Sequence, residues 1–259
     1  MYWKYGIAIE QRGLTGHEKQ NYASVVRMHL EWIESTDVGS LLLRAIAREV
    51  LNAAPASLVR FTEPVKPGEP SRGVLIRPYL GGECNAQQLN AQLWYTPYLQ
   101  GPCGHIWANI TENRGAYPHE ILFHEMVHAL RDAAGHGKSL AQLTDGLKGY
   151  GDAEELFAVV TANIYMSDPT NKRSDKLGMR KDHGLGTLEA HLADSFGFYK
   201  SSRDAFRLMK QFCTEDAWFT SQLAKTKANF NPVAAYYDDP AEAEKNSNSF
   251  TAKVRDALN

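Results

Sequence analysis

The sequence His124-Glu125-Met126-Val127-His128 sits inside an apolar stretch of helical period that runs from Pro118 to Ala134. Proline suits the first position of a helix, where its missing N–H has no partner to lose, and Gly135 suits the stop. At about 100° per residue, His124 and His128 fall one turn apart on one helix face. Two imidazoles so placed can both reach one tetrahedral Zn²⁺ at roughly 2.0–2.1 Å. Glu125 projects about 100° round the helix, close enough to contact a metal-bound water without ligating the metal. Two ligands beside a carboxylate base are what a metal-assisted hydrolase needs. With 9 histidines in 259 residues, chance places such a pattern in roughly one chain in fifty. A bounded amphipathic helix after two strand candidates weighs against two surface histidines beside a solvated glutamate.

A catalytic zinc takes a third protein ligand and keeps one position open. The pattern HExxHxxGxxH would put glycine at 131 and histidine at 134, where the chain has Arg131 and Ala134. That ligand type is excluded. His136 lies beyond the helix stop and reads as a loop histidine. The next helix, Ala153 to Met166, opens with Glu154 and Glu155 and is otherwise apolar. Acidic residues there favour the positive end of a helix, yet one carboxylate of so apolar a helix is expected to point inward. A ligand helix must come close to the histidine helix, which favours a small residue three positions after the ligand. Glu155 has Ala158 there and Glu154 has Phe157. Glu155 is therefore assigned to the metal, and Glu154 to holding a ligand histidine from behind. Asp145 is the runner-up ligand; it weakly resembles the aspartate of other zinc peptidases, with a different spacing to Tyr150.

The run from His124 to Arg131, then Glu154-Glu155-Leu-Phe-Ala-Val and Asn163-Ile-Tyr-Met-Ser-Asp, resembles the NleD-like family of bacterial effector zinc metallopeptidases. More distantly, it is similar to the catalytic core of clostridial neurotoxin light chains. The resemblance covers about a quarter of the chain, roughly residues 117 to 186. It implies an α+β, zincin-like domain with one Zn²⁺ on His124, His128 and Glu155, and Glu125 as general base. Segment 178–186 is similar to one that follows the ligand helix in related toxin domains. Such enzymes place a cation, tyrosine or histidine against the carbonyl oxygen as it becomes negative. The candidates are Arg180, His183 and Tyr165, in that order. The resemblance further implies a toxin acting in virulence, released or injected into a target cell, with a protein or peptide substrate and a secretion apparatus or immunity protein as partners. A zinc amidase acting on cell-wall peptides and a zinc-stabilised binding protein without turnover are the rival readings. A purely structural zinc site would fill its fourth position, most simply with a cysteine, and none of the three cysteines lies near the motif.

Composition limits the rest. With 28 Lys+Arg against 30 Asp+Glu, no basic excess recommends nucleic acid or an anionic membrane as partner. The most apolar stretch, Ser40 to Val59, is interrupted by Arg44, Arg48 and Glu49, which argues against membrane insertion. Residues 1–10 hold no continuous apolar segment of the signal-peptide kind, so the chain is expected to be made in a cytoplasm. Cysteines 84, 103 and 213 read as reduced thiols; Cys84 and Cys103 would pair only in an oxidising space. A single domain is expected, monomeric, with an α/β part over about 1–115 and a helical catalytic part over about 116–259. Helices are predicted over Tyr22–Ser35 and Gly39–Ala54, and strands over Gly73–Leu80 and His105–Thr111. Pro78 recommends the first of these as an edge strand. Gly135–Asp152, with five glycines, reads as a mobile loop, and Asp168–Gly186 as turn-rich. Helices follow from about Thr187 to Lys227, and Asp238–Ser249 reads as a surface connection before a short C-terminal helix.

Overall fold

A computed structural model of the 259-residue chain describes residues 4–11, 13–14, 16–53, 74–78, 87–89, 92–95, 117–136, 143, 147–172, 179–180 and 194–257. The architecture is mixed α+β, mostly helical, with one small sheet. The chain forms two compact units, Met1–Lys138 and Ser139–Asn259.

In the first unit, strand β1 (Ile7–Ile9) is followed by helices α1 (Gly16–Glu34) and α2 (Asp37–Ala53), then β2 (Val74–Pro78), β3 (Gln87–Leu89), β4 (Gln92–Tyr95) and helix α3 (Pro118–Ala133). Tyr22, Ala23, Val26, Leu30 and Ile33 form the buried stripe of α1, at the spacing of one helix face. α2 buries Val38, Leu41, Leu42, Ile46 and Val50 in the same way. The two helices are split at Thr36. Its hydroxyl donates to Ile33 O at 3.0 Å and accepts from Gly39 N at 2.9 Å, so one side chain closes α1 and caps α2. Gly39 is required by space, because a Cβ there would run into the Ile33 carbonyl oxygen. Gly39→Ala is expected to cost about 1–3 kcal/mol, measured as a fall in the denaturant midpoint.

The sheet order is β1-β2-β4-β3, with β1/β2 and β2/β4 parallel and β3/β4 antiparallel. β2 is thus an interior strand, not the edge strand that Pro78 suggested. Pairing with β1 ends at Ile9↔Ile76, two residues before the proline. Glu10 N still donates to Ile76 O at 2.8 Å, so the next donor in the alternation would be residue 78, and the N–H that proline lacks ends the pairing there. Ile7, Ala8, Ile9, Val74, Leu75 and Ile76 are all buried, as in a parallel pair covered on both faces. Such short, fully apolar runs carry no alternation, which is why β1 escaped the sequence reading. The predicted strand His105–Thr111 lies outside the described residues.

α3 packs against α1, α2 and the β3–β4 pair. Leu122, Phe123, Met126, Val127, Ala129 and Leu130 are at most 2% exposed, so this helix is enclosed on most of its circumference. Pro118 is its first residue, as predicted. At the far end Gly135 takes φ +78°. Gly135 N donates to Asp132 O at 3.1 Å and His136 N to Arg131 O at 3.0 Å, a Schellman closure. His136 is the second residue of that closure, which places it past the helix as expected.

In the second unit a 3₁₀ turn (Lys148–Tyr150) precedes α4 (Ala153–Met166). A further 3₁₀ turn (Gly197–Ser201) leads to α5 (Ala205–Glu215), α6 (Ala217–Leu223), α7 (Pro232–Asp238) and α8 (Pro240–Ala257). The end of the predicted Gly135–Asp152 loop is packed, since Leu147 and Tyr150 are buried. Phe157 of α4 stacks on Phe212 of α5 with centroids 4.8 Å apart and an 8° interplanar angle. Leu208, Met209, Phe219, Leu223, Phe230 and Val233 fill out the core. The C-terminus of α4 is tied down by Ser167, whose Oγ accepts from Phe230 N at 3.1 Å and whose carbonyl accepts from Asn229 N at 3.1 Å.

The polar stretch Asp238–Ser249 is not a connection. Most of it belongs to the 18-residue helix α8, started by Asp239, whose Oδ1 accepts from Glu242 N at 2.9 Å. Its inward face is partly polar: Ser247 is 1% exposed and donates to Ser202 O at 2.8 Å. Hydrogen bonds thus satisfy a buried face that a hydrophobicity pattern does not reveal. Among the described residues no helix is long and apolar enough to cross a membrane.

Burial pushes the Cys213 thiol up to about 12 from an ordinary value near 9.0. The thiolate is the reactive form, so Cys213 is expected to react with thiol reagents only after unfolding. The unfolded chain releases this proton near pH 9 while the folded chain holds it to about 12. The contribution of this thiol to stability is therefore fully present below pH 9 and is lost as pH rises from there toward 12. Buried Tyr199, also raised well above its ordinary value by desolvation, acts in the same direction. Denaturant melts across that range check the sign.

Candidate metal centre

His124 and His128 leave α3 on one face, one turn apart, 4% and 7% exposed. Their Nε2 atoms stand 3.2 Å apart, and the rings meet nearly edge to face, with centroids at 4.8 Å and an 83° interplanar angle. Two nitrogens bound at about 2.0–2.1 Å to a tetrahedral ion stand about 3.3–3.4 Å apart. The spacing of this pair therefore fits two zinc ligands to within a few tenths of an ångström. Glu125, between them in sequence, is only partly buried.

Glu155 lies in the first turn of α4, and local structure fixes it there. Asp152 is the N-cap, with extended backbone, and its Oδ1 accepts from Glu155 N at 2.9 Å. Asp152 and Glu155 have the spacing of a capping box, a signal the sequence analysis passed over. Ligand atoms of Glu155, His124 and His128 all lie within 4.8 Å of one another, as in a group that could hold a metal ion. No other group of three or more His, Cys, Asp or Glu side chains does so among the described residues. Two imidazoles and a carboxylate are a donor set that suits zinc. The other glutamate, Glu154, is buried at 5% exposure, and Phe157, three residues on, is committed to Phe212.

The oxyanion candidates are placed differently. Tyr165 is on α4, ten residues past Glu155, a rise of about 15 Å, and is fully buried. Arg180 is 6% exposed, and its backbone is clasped by Asn163 of α4. Asn163 Nδ2 donates to Arg180 O at 2.9 Å and Arg180 N donates to Asn163 Oδ1 at 3.0 Å. That two-way clasp was not foreseen; a polar Asn in an apolar helix was its only trace. His183, the runner-up ligand Asp145, Cys84 and Cys103 lie outside the described residues.

Asp152→Ala removes the cap and keeps the ligand. It is expected to cost about 1 kcal/mol of stability and to weaken metal affinity by about 10–100-fold, read by thermal melts and chelator competition. No family model, curated protein or solved structure matches the chain.

Proposed function

We propose that the protein is a zinc-dependent metalloendopeptidase of zincin-like fold. The observation that carries the reading is the convergence of His124, His128 and Glu155 ligand atoms, with the two Nε2 atoms at a tetrahedral spacing and Glu125 alongside. His124, His128 and Glu155 would hold the ion, and zinc bound there would supply Lewis acidity for the hydrolysis.

Glu125 is the general base. Its carboxylate takes the proton of the attacking water and returns it to the leaving nitrogen as the C–N bond breaks, so that the nitrogen leaves as an amine rather than as an amide anion. The burial of both histidines keeps water from competing for their Nε2 atoms and strengthens every charge interaction at the site. Arg180, anchored through its backbone to α4, is the candidate cation for the developing oxyanion, with His183 as the other.

The proposed substrates are proteins of a target cell, and the proposed setting is a bacterial effector or toxin. Both rest on the similarity of the motif and ligand helix to NleD-like peptidases. The test is zinc-dependent cleavage of a denatured-protein or peptide library by the purified chain. New amino termini that vanish with a chelator and return with zinc support the reading. A zinc-loaded chain that cuts cell-wall peptides and no protein favours the amidase instead.

A further inference from the structure

We propose that Ile121 and Tyr117 form a specificity subsite that takes a large apolar side chain of the substrate, next to the bond that is cut. This rests on the peptidase reading above and narrows its substrate class. Of the 16 residues of α3, only Pro118, Ile121, Glu125 and Asp132 are not buried. At about 100° per residue these four fall within about 60° of the helix circumference. One narrow strip of α3 thus meets solvent, and the rest of the helix is enclosed. His128 and His124 run along one edge of that strip, within about 80° of its middle. A peptide that reaches Glu125 beside the two histidines lies along this strip.

On the N-terminal side of Glu125 the strip is apolar. Ile121 stands one turn before the glutamate and is half-buried. Tyr117, one turn further back, is the N-cap residue of α3 and is also half-buried. Ile121 N donates to Tyr117 O at 2.9 Å, so the pair shares the first turn of the helix. The Tyr117 ring is seated by its neighbours. Its centroid lies 6.0 Å from that of buried His119, whose ring meets Trp32 of α1 edge-on at 6.2 Å. A half-exposed isoleucine needs no explanation by itself. Its place one turn from the proposed base, with a fixed aromatic ring behind it, makes it a subsite. Backbone contacts hold any extended peptide alike, whereas side-chain pockets discriminate. Covering a leucine-sized side chain there is worth about 10–100-fold in affinity over alanine.

The test is calorimetric binding of short peptide hydroxamates, which chelate zinc, to the zinc-loaded chain. The analogues carry alanine, leucine, phenylalanine or lysine next to the hydroxamate, and the proteins are wild type, Ile121→Ala, Ile121→Asp and Tyr117→Ala. Cleavage of a peptide library is mapped on the same preparations. Wild type is expected to bind the leucine and phenylalanine analogues about 10–100-fold more tightly than the alanine one, and to cut beside such residues. Ile121→Ala narrows that ratio to a few-fold, and Tyr117→Ala weakens the phenylalanine analogue most. Ile121→Asp abolishes the apolar preference and makes the lysine analogue the best of the four. A residue that only packed the helix would weaken all four analogues equally. The proposal is overturned if wild type does not discriminate leucine from alanine, or if the ratio is unchanged in Ile121→Ala and Ile121→Asp. Should Ile121→Asp not fold, Ile121→Ala decides. A chain that discriminates the hydroxamates and cleaves nothing keeps the subsite and contradicts the peptidase reading. One that cleaves without discriminating keeps the peptidase and loses the subsite, and one that binds no hydroxamate overturns both.

Discussion

Glu125→Gln is expected to lower peptide hydrolysis by about a thousandfold or more while zinc stays bound. The amide matches the carboxylate in shape but takes no proton at neutral pH. The water loses its base and the leaving amine its acid in a single change. Glu125 is not among the three side chains whose ligand atoms converge, so the ion keeps its whole donor set. The measurement is initial cleavage rate beside metal content on the same preparation. Retained cleavage with glutamine at 125 contradicts the mechanism, because no other carboxylate of the HExxH motif could serve.

Glu155→Ala is expected to be more drastic for the ion. Removing a direct ligand leaves two imidazoles, and the loss of affinity should exceed the roughly 10–100-fold typical of removing an outer partner. Asp152, which accepts from Glu155 N, gives the comparison: Asp152→Ala loosens the ligand, whereas Glu155→Ala deletes it. Cleavage should fall with occupancy in both, and added zinc should restore it only in Asp152→Ala. The stability cost of Glu155→Ala in the metal-free chain should be small, since the side chain is partly exposed and the cap bond is made by its backbone.

Much of the helical half was legible because its signals are local. Pro118 and Gly135 mark α3 and both act as expected, the second through its φ of +78°. The α4 boundaries, Ala153 and Met166, coincide with those read from the sequence. The histidine pair was legible for the same reason, since a four-residue spacing on a helix is geometry without tertiary input. The preference for Glu155 over Glu154 came from residue size three positions on. In the structure Glu155 belongs to a group that could hold a metal ion, and Phe157 is stacked on Phe212.

What escaped the reading depends on contacts distant in sequence. β1 is three apolar residues long, and only its pairing with β2 makes it a strand. Pro78 misled because a proline at the last position of a strand costs only the final ladder bond, and β2 ends there. α8 was hidden because its buried face is satisfied by a hydrogen bond from Ser247 to Ser202, 45 residues away. Asn163 stands in a run whose apolar neighbours dominate the pattern, and its partner, the Arg180 backbone, becomes visible only once the helix is in place.

Metal content by mass spectrometry, on the purified wild-type chain and on Glu155→Ala, Glu154→Ala and Asp145→Ala, tests the central claim most directly. The account predicts one zinc per chain in wild type, retained with Glu154 or Asp145 replaced and lost only with Glu155 replaced. A wild-type chain that carries no zinc and takes none up, or one that loses it with Asp145→Ala and keeps it with Glu155→Ala, would contradict it.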